Sequence, residues 1–188
     1  MADGLLGGAL LQELVEKQAE LPADIQWHFI GHLQTNKVKY IAPFVSLIHT
    51  VDSFKLLAEI NKQAQKCGRT IQLLLQVYIA AEDTKFGLDQ QELTALLDEY
   101  QQKKNELQNI RICGLMGMAT NTENEMQIRT EFASLHQLFN FIKSAHFAND
   151  ALFATCSMGM SSDYKIAIEA GSNMVRIGSL LFGSRVTA

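Results

Sequence analysis

The 188-residue chain is 47% apolar and 19% charged, with 12 glycines and 2 prolines, which leaves room for one sizeable core and excludes disordered, collagen-like and low-complexity classes. Its formal net charge of −4, from 16 Lys and Arg against 20 Asp and Glu, comes without a long basic block, which argues against sequence-independent binding to nucleic acid or to anionic membranes. No apolar run approaches the ~18 residues of a membrane span, and the opening MADGLLGGALLQE carries Asp3 where a secretory leader carries positive charge, so a cytoplasmic protein with one domain over residues 1–188 is expected.

Along the chain, Gln12 to Gln18 reads as the tail of a helix. Trp27 to Ile30 is the first strand candidate; it stops on Gly31 and at once presents His32, Gln34, Thr35, Asn36 and Lys37, polar groups suited to line or cap a turn. Leu47 to Val51 is the next strand, and Asp52 or Ser53 caps a helix that buries Leu56, Leu57 and Ile60. After the strand Ile71 to Val77, AEDTKFGL makes a polar loop in which Lys85 reads as a solvated charge. Asp89 with Glu92 then forms a capping box, Leu88 and Leu93 a staple, and the helix buries Leu93, Leu96, Leu97 and Tyr100.

The strand Ile110 to Met116 is followed by a start signal at Thr122 and Glu125 and a long stripe of Ile128, Phe132, Leu135, Phe139 and Ile142. Leu152 to Ser157 is the fifth strand, Asp163 is a candidate helix cap, Gly171 ends that helix, and Met174 to Ile177 is the sixth strand. Six apolar strands joined by helices imply an α/β fold with a parallel sheet, either an open doubly wound sheet or a (β/α)8 barrel. Both architectures bind ligands where the strands end at their carboxyl side.

There the sequence is distinctive. SMGMSSD, residues 157–163, passes from a strand through Gly159 into hydroxyls, and VRIGS puts Gly178 and Ser179 right after the last strand. Glycine lets N–H groups approach an anion and serine adds a donor, so the pair suits a phosphate; two tight turns and a helix cap explain the same residues equally well. Arg176 lies within the last strand, where an unpaired guanidinium is expensive, so it needs a buried carboxylate or an acceptor on a ligand. His28 and His32 have no Cys, Asp or Glu to complete a metal set, Cys67, Cys113 and Cys156 make neither a disulfide framework nor a CxxC pair, and no nucleotide-binding glycine motif is present. No catalytic residue stands out.

WHFIGHLQTNK followed by VKYI, with HTVDS, KFGL, GLMGMAT and SMGMSSDYKIAIEAGSNMVRIGSLLFGSR, closely resembles the pyridoxal phosphate homeostasis proteins, also called YggS-like, from about Gln12 onward. The resemblance implies a (β/α)8 barrel related to the alanine racemase N-terminal domain, binding pyridoxal 5′-phosphate (PLP) without a catalytic reaction and serving PLP-dependent apoenzymes. By the same resemblance Ser161 and the Gly178-Ser179 turn hold the phosphate, Arg176 faces the pyridine nitrogen, and Ser157 and Met158 lie near the ring. Family members begin with a strand carrying the lysine that attaches the cofactor, then a second strand ending in Gly-Glu-Asn. Here GGALLQE matches that second motif only at Gly7, Gln12 and Glu13, and no lysine occupies the cofactor position. The expectation is therefore a barrel lacking its first β/α unit and part of its second, weakened and noncovalent PLP binding, and either a homodimer or marginal stability to cover the open seam. An aldolase- or racemase-type barrel enzyme acting on a phosphorylated small molecule is the competing reading.

Overall fold

In the computed structural model, residues 5–8, 11–80 and 86–183 are described, 5–8 as backbone only. The strands are β1 (Leu5–Gly8), β2 (Gln26–Phe29), β3 (Val45–Val51), β4 (Ile71–Tyr78), β5 (Ile110–Met118), β6 (Thr155–Met160) and β7 (Met174–Arg176). All neighbours pair in parallel and in chain order, with β1 and β7 at the two ends. The intervening helices are α1 (Leu11–Glu20), α2 (Val38–Ile41), α3 (Phe54–Lys66), α4 (Gln90–Gln102), α5 (Glu125–His146) and α6 (Tyr164–Glu169), and α7 (Ser179–Phe182) follows β7.

Strand alternation divides the side chains into two layers. Trp27, Phe29, Ile48, Leu73, Leu75, Leu115 and Met158 join the core shared with the helices, whereas Leu47, Leu74, Cys113 and Met116 form a second buried cluster with Met118 and Met174 packed on it. That second cluster faces the inside of a curled sheet. Neighbouring strands stand ~4.8 Å apart, so β3 and β6 would lie roughly 14 Å apart in a flat sheet, yet Ser157 Oγ on β6 comes 3.5 Å from His49 Nδ1 on β3. The α/β barrel architecture expected from the sequence is the one observed, with seven parallel strands among the described residues where a closed barrel of this class has eight.

Gly114 makes one local adjustment that the layers depend on. Its φ is +156°, and a Cβ there would sit 1.7 Å from the Thr155 carbonyl oxygen, so only glycine lets β5 and β6 approach. The irregularity in register at this point keeps Cys113 and Met116 on the same inner face although three positions separate them.

Several local expectations hold. Ser53 accepts from Leu56 N and caps α3, and Asp89 and Glu92 bond reciprocally at the start of α4. The stripe from Ile128 to Ile142 is buried on α5, and Gly171 has φ +101° just past α6. Others need correction. α5 is capped by Asn124, which accepts from Gln127 N, while Thr122 Oγ1 accepts from Asn124 N; the start lies two residues later than expected because the asparagine side chain competes successfully for the same role. Asp163 holds the N-cap position of α6, but its side chain makes no capping bond: its Oδ1 accepts from Met160 N at 2.6 Å and closes the turn after β6. A strand at Leu5–Gly8 was not foreseen either, because two glycines in LLGG carry little strand propensity and its pairing with β2 supplies the order. The region read as a degenerate second motif thus contains a strand and the start of α1. The turn after Gly31 runs through a single 3-10 turn, Thr35–Lys37, into α2, and Thr50 Oγ1 donates to the Gly31 carbonyl at 2.6 Å. No helix among the described residues is long and apolar enough to cross a membrane.

Candidate functional site

The carboxyl ends of β6 and β7 bring most of the expected site residues together. Met160 pairs with Arg176 in register, so Ser161 and Gly178 leave adjacent strands at the same end of the barrel. Ser161 Oγ accepts from Gly178 N at 3.3 Å and from Leu180 N at 3.4 Å, so the hydroxyl of one loop gathers the N–H groups that open the other. Ser179 starts α7 between those two donors. A Cβ built on Gly178 would meet nothing within 4 Å, which leaves its main chain open on that side. Behind this loop Gly159, at φ +98°, lets α6 close on β6, since a Cβ there would lie 2.6 Å from the Ala167 methyl.

Arg176 reaches inward from β7 and is held by oxygen acceptors of two other strands. Its Nη1 donates to the Ser157 carbonyl at 3.0 Å and to Ser157 Oγ at 2.8 Å, and its Nη2 donates to the Gly117 carbonyl at 2.9 Å. The buried carboxylate partner envisaged from the sequence is not among the salt bridges of the described residues. Burial pulls the guanidinium down from 12.5 to about 10, with Asp163 acting in the opposite direction, and it stays cationic at neutral pH. A guanidinium has five N–H groups; the three bonds to described residues leave two N–H directions for a further acceptor.

Ser157 continues inward. Its hydroxyl lies 3.5 Å from His49 Nδ1, and His49 Nε2 lies 3.1 Å from His28 Nδ1, with the rings tilted at 47° and centroids 5.1 Å apart. Burial drives both imidazoles toward the neutral form: His28 falls from 6.5 to about 4, and His49 falls well below its ordinary value, with the positive charges of His28 and Arg176 adding to the effect. Nearer the rim, the His32 ring stacks on Phe86 with centroids 4.6 Å apart.

Met158 is not brought into this group. Its side chain is buried in the layer between sheet and helices, on the opposite face of β6 from Ser157, because successive strand residues alternate. Gly117, which follows a strand candidate in the sequence, joins this group through its carbonyl, and so does His49, which sequence reasoning did not single out. The available signal was a histidine next to outward-facing apolar residues in two neighbouring strands, His28 between Trp27 and Phe29 and His49 after Ile48, which places both on the inner face. None of the lysines in the described residues lies on a strand; Lys85 lies outside the described residues. Among the described residues no cluster of His, Cys, Asp and Glu could hold a metal ion, and burial raises both buried thiols, Cys113 on the inner face and Cys156 in the helix-side core, the latter to about 12.

Comparison with known proteins identifies the family. The family model described as "Alanine racemase, N-terminal domain" matches residues 4–186. The pyridoxal phosphate homeostasis protein of Aquifex aeolicus is 42% identical over 176 residues, covering 93% of this chain and 74% of its own length. That of Pasteurella multocida is 35% identical over 184 residues, covering 95% and 76%. Among solved structures, Synechococcus elongatus PipY without PLP superposes with a TM-score of 0.85 at 33% identity, over 94% of this chain and 80% of that one. The same protein with PLP bound gives 0.81 at 32%, over the same 94% and 80%. Alanine racemase from Streptomyces coelicolor shares the fold, with a TM-score of 0.77 at 15% identity, over 97% of this chain and 47% of that one. The chain therefore belongs to the alanine racemase N-terminal-domain family and, within it, to the pyridoxal phosphate homeostasis proteins.

Proposed function

We propose that this chain binds pyridoxal 5′-phosphate noncovalently where β6 and β7 end and serves cytoplasmic PLP homeostasis without turning over a substrate. The observation that carries the proposal is the juxtaposition at that end of the barrel. A half-buried cationic Arg176 keeps two N–H groups for a ligand, and beside it the Gly178 and Leu180 amides converge on a hydroxyl oxygen. Those amides, with Ser161 and Ser179, are the kind of donor set a phosphate takes, and the space beside Gly178 is open. The residues fit the cofactor's two ends. Ser157 braces the guanidinium from behind, and Met158 contributes only by keeping β6 seated in the core.

When bound, PLP supplies an aldehyde and an electron-withdrawing pyridine ring. Arg176, placed to donate to the ring nitrogen, would disfavour protonation there and so weaken the ring as an electron sink. That favours holding the cofactor over catalysis with it. The neutral state of His28 and His49 removes two candidate general acids from the inner face. The proposal extends to two partners. PLP-dependent apoenzymes are the recipients the role requires, and a second copy of the chain would cover the exposed Leu180, Leu181 and Phe182 of α7.

Absorbance titration with PLP, followed by borohydride reduction and intact-mass measurement, tests the reading. Saturable binding with no pyridoxyl adduct is the expected outcome. A stable adduct on a lysine would overturn noncovalent attachment, and no binding at millimolar PLP would overturn the function.

A further inference from the structure

Four side chains from four strands form one continuous line across the barrel interior: Arg176 on β7, Ser157 on β6, His49 on β3 and His28 on β2. One order of hydrogens carries that line from end to end, with Ser157 giving its hydrogen to His49. Arginine only donates, so Ser157 Oγ, 2.8 Å from Arg176 Nη1, is an acceptor there and its own hydrogen points elsewhere. The side-chain acceptor it meets among the described residues is His49 Nδ1, at 3.5 Å. A neutral imidazole that accepts at Nδ1 carries its hydrogen on Nε2. His49 Nε2–H is thus the donor to His28 Nδ1 at 3.1 Å, and His28 in turn carries its hydrogen on Nε2.

Burial of the two rings supplies the neutral states this order needs, the charges acting on His49 being those of His28 and Arg176, with Asp163 acting on Arg176. Reversing one ring breaks the line at two places. A hydrogen on His49 Nδ1 would oppose the Ser157 hydroxyl, and the bare Nε2 would face the bare Nδ1 of His28. The line ends in an N–H, His28 Nε2, that no described residue accepts, on a side chain still half-buried at the inner face.

We propose that Ser157 and His49 are positioning residues that hold Arg176 in one orientation, and that the same relay fixes His28 with its Nε2–H as a donor to an acceptor oxygen on the ligand in the barrel. This rests on the proposed PLP site for the identity of the ligand, while the proton order stands independently of it. A fixed donor gives the interior a polarity: an acceptor oxygen is welcomed at His28, and a second donor there is rejected.

The first measurement needs no ligand. In protein labelled with 15N-histidine, two-bond 1H–15N correlation spectra at pH 7 distinguish the tautomers; His28 and His49 are expected as neutral rings protonated at Nε2. A Nδ1-protonated His49, or a cationic ring at either position, would overturn the relay. Ser157→Ala removes the link to Arg176, and His49 is then expected to become a mixture of tautomers; an unchanged pure tautomer would also overturn it. The second measurement adds PLP. The His28 Nε2 resonance is expected to shift on saturation, and His28→Phe, which keeps a flat ring without the donor, is expected to weaken PLP binding about five- to tenfold, the value of one neutral hydrogen bond. Binding that leaves the His28 resonance and the affinity of His28→Phe unchanged would overturn the ligand role. If His28→Phe does not fold, the wild-type resonance decides alone. Failure of PLP to bind at all, seen by absorbance, removes the ligand role together with the proposed function, whereas the tautomers are read in the free protein.

Discussion

Arg176 is a half-buried cation whose charge is met by carbonyl and hydroxyl oxygens, with no salt-bridge partner among the described residues. That arrangement holds the guanidinium in place while leaving its charge uncompensated for a ligand, which a carboxylate partner would not do. The two inner histidines carry a pH dependence whose sign is fixed. The folded-state value of His28 is lowered to about 4 from 6.5, so between those values the unfolded chain binds more protons than the folded one. Stability is full above about pH 6.5 and is lost progressively as pH falls toward about 4, and His49 acts in the same direction. Calorimetry between pH 7 and 4.5 is expected to show a falling melting temperature, with a shallower fall in His28→Gln; an equal fall in that variant would exclude His28 as the source.

Among the elements, the helices are the most local. Ser53 and the Asp89-Glu92 pair form their caps inside a four-residue window, and the buried stripe of α5 follows from spacing alone. The start of α5 separates two candidates that sequence ranks poorly. Asn124→Ala removes the side chain that accepts from Gln127 N and is expected to cost about 1 kcal/mol, lowering the melting temperature by about 2–4 °C. Thr122→Ala is expected to stay within about 0.5 kcal/mol of the parent, since its exposed hydroxyl serves only the preceding turn. Equal losses by thermal denaturation would return the cap to Thr122. Strand β1 shows the opposite case: LLGG has no strand character of its own, and its order comes from hydrogen bonds to β2.

For the whole molecule, the sheet has two ends, β1 and β7, and the end at β7 carries an apolar surface. Leu180, Leu181 and Phe182 are 62%, 71% and 76% exposed on α7, beside the half-buried Val175 and Ile177. Three large apolar side chains in one short helix favour association with a second surface. Sedimentation velocity is expected to show concentration-dependent dimers that Leu181→Glu disperses. A monomer across the micromolar range, unchanged by that substitution, would refute the association.

The sequence by itself determined the class, the helix faces and the family. Apolar strands at regular intervals, capping signals and the two long motifs are local patterns, and each is written in neighbouring residues. It also pointed to Ser161, Gly178 and Ser179 as one cluster, since strand ends in a parallel sheet lie on one rim. Only the tertiary structure decided the rest. Whether Met158 or Ser157 faces the interior depends on the phase of β6, which the irregular register around Gly114 and after Ser157 leaves unreadable in sequence. Arg176, Ser157, His49 and His28 lie up to 148 positions apart (176 − 28) and meet only because the sheet curls until β3 approaches β6. Curvature is a property of the assembled strands, summed over their twist and packing, and no single segment of the chain encodes it.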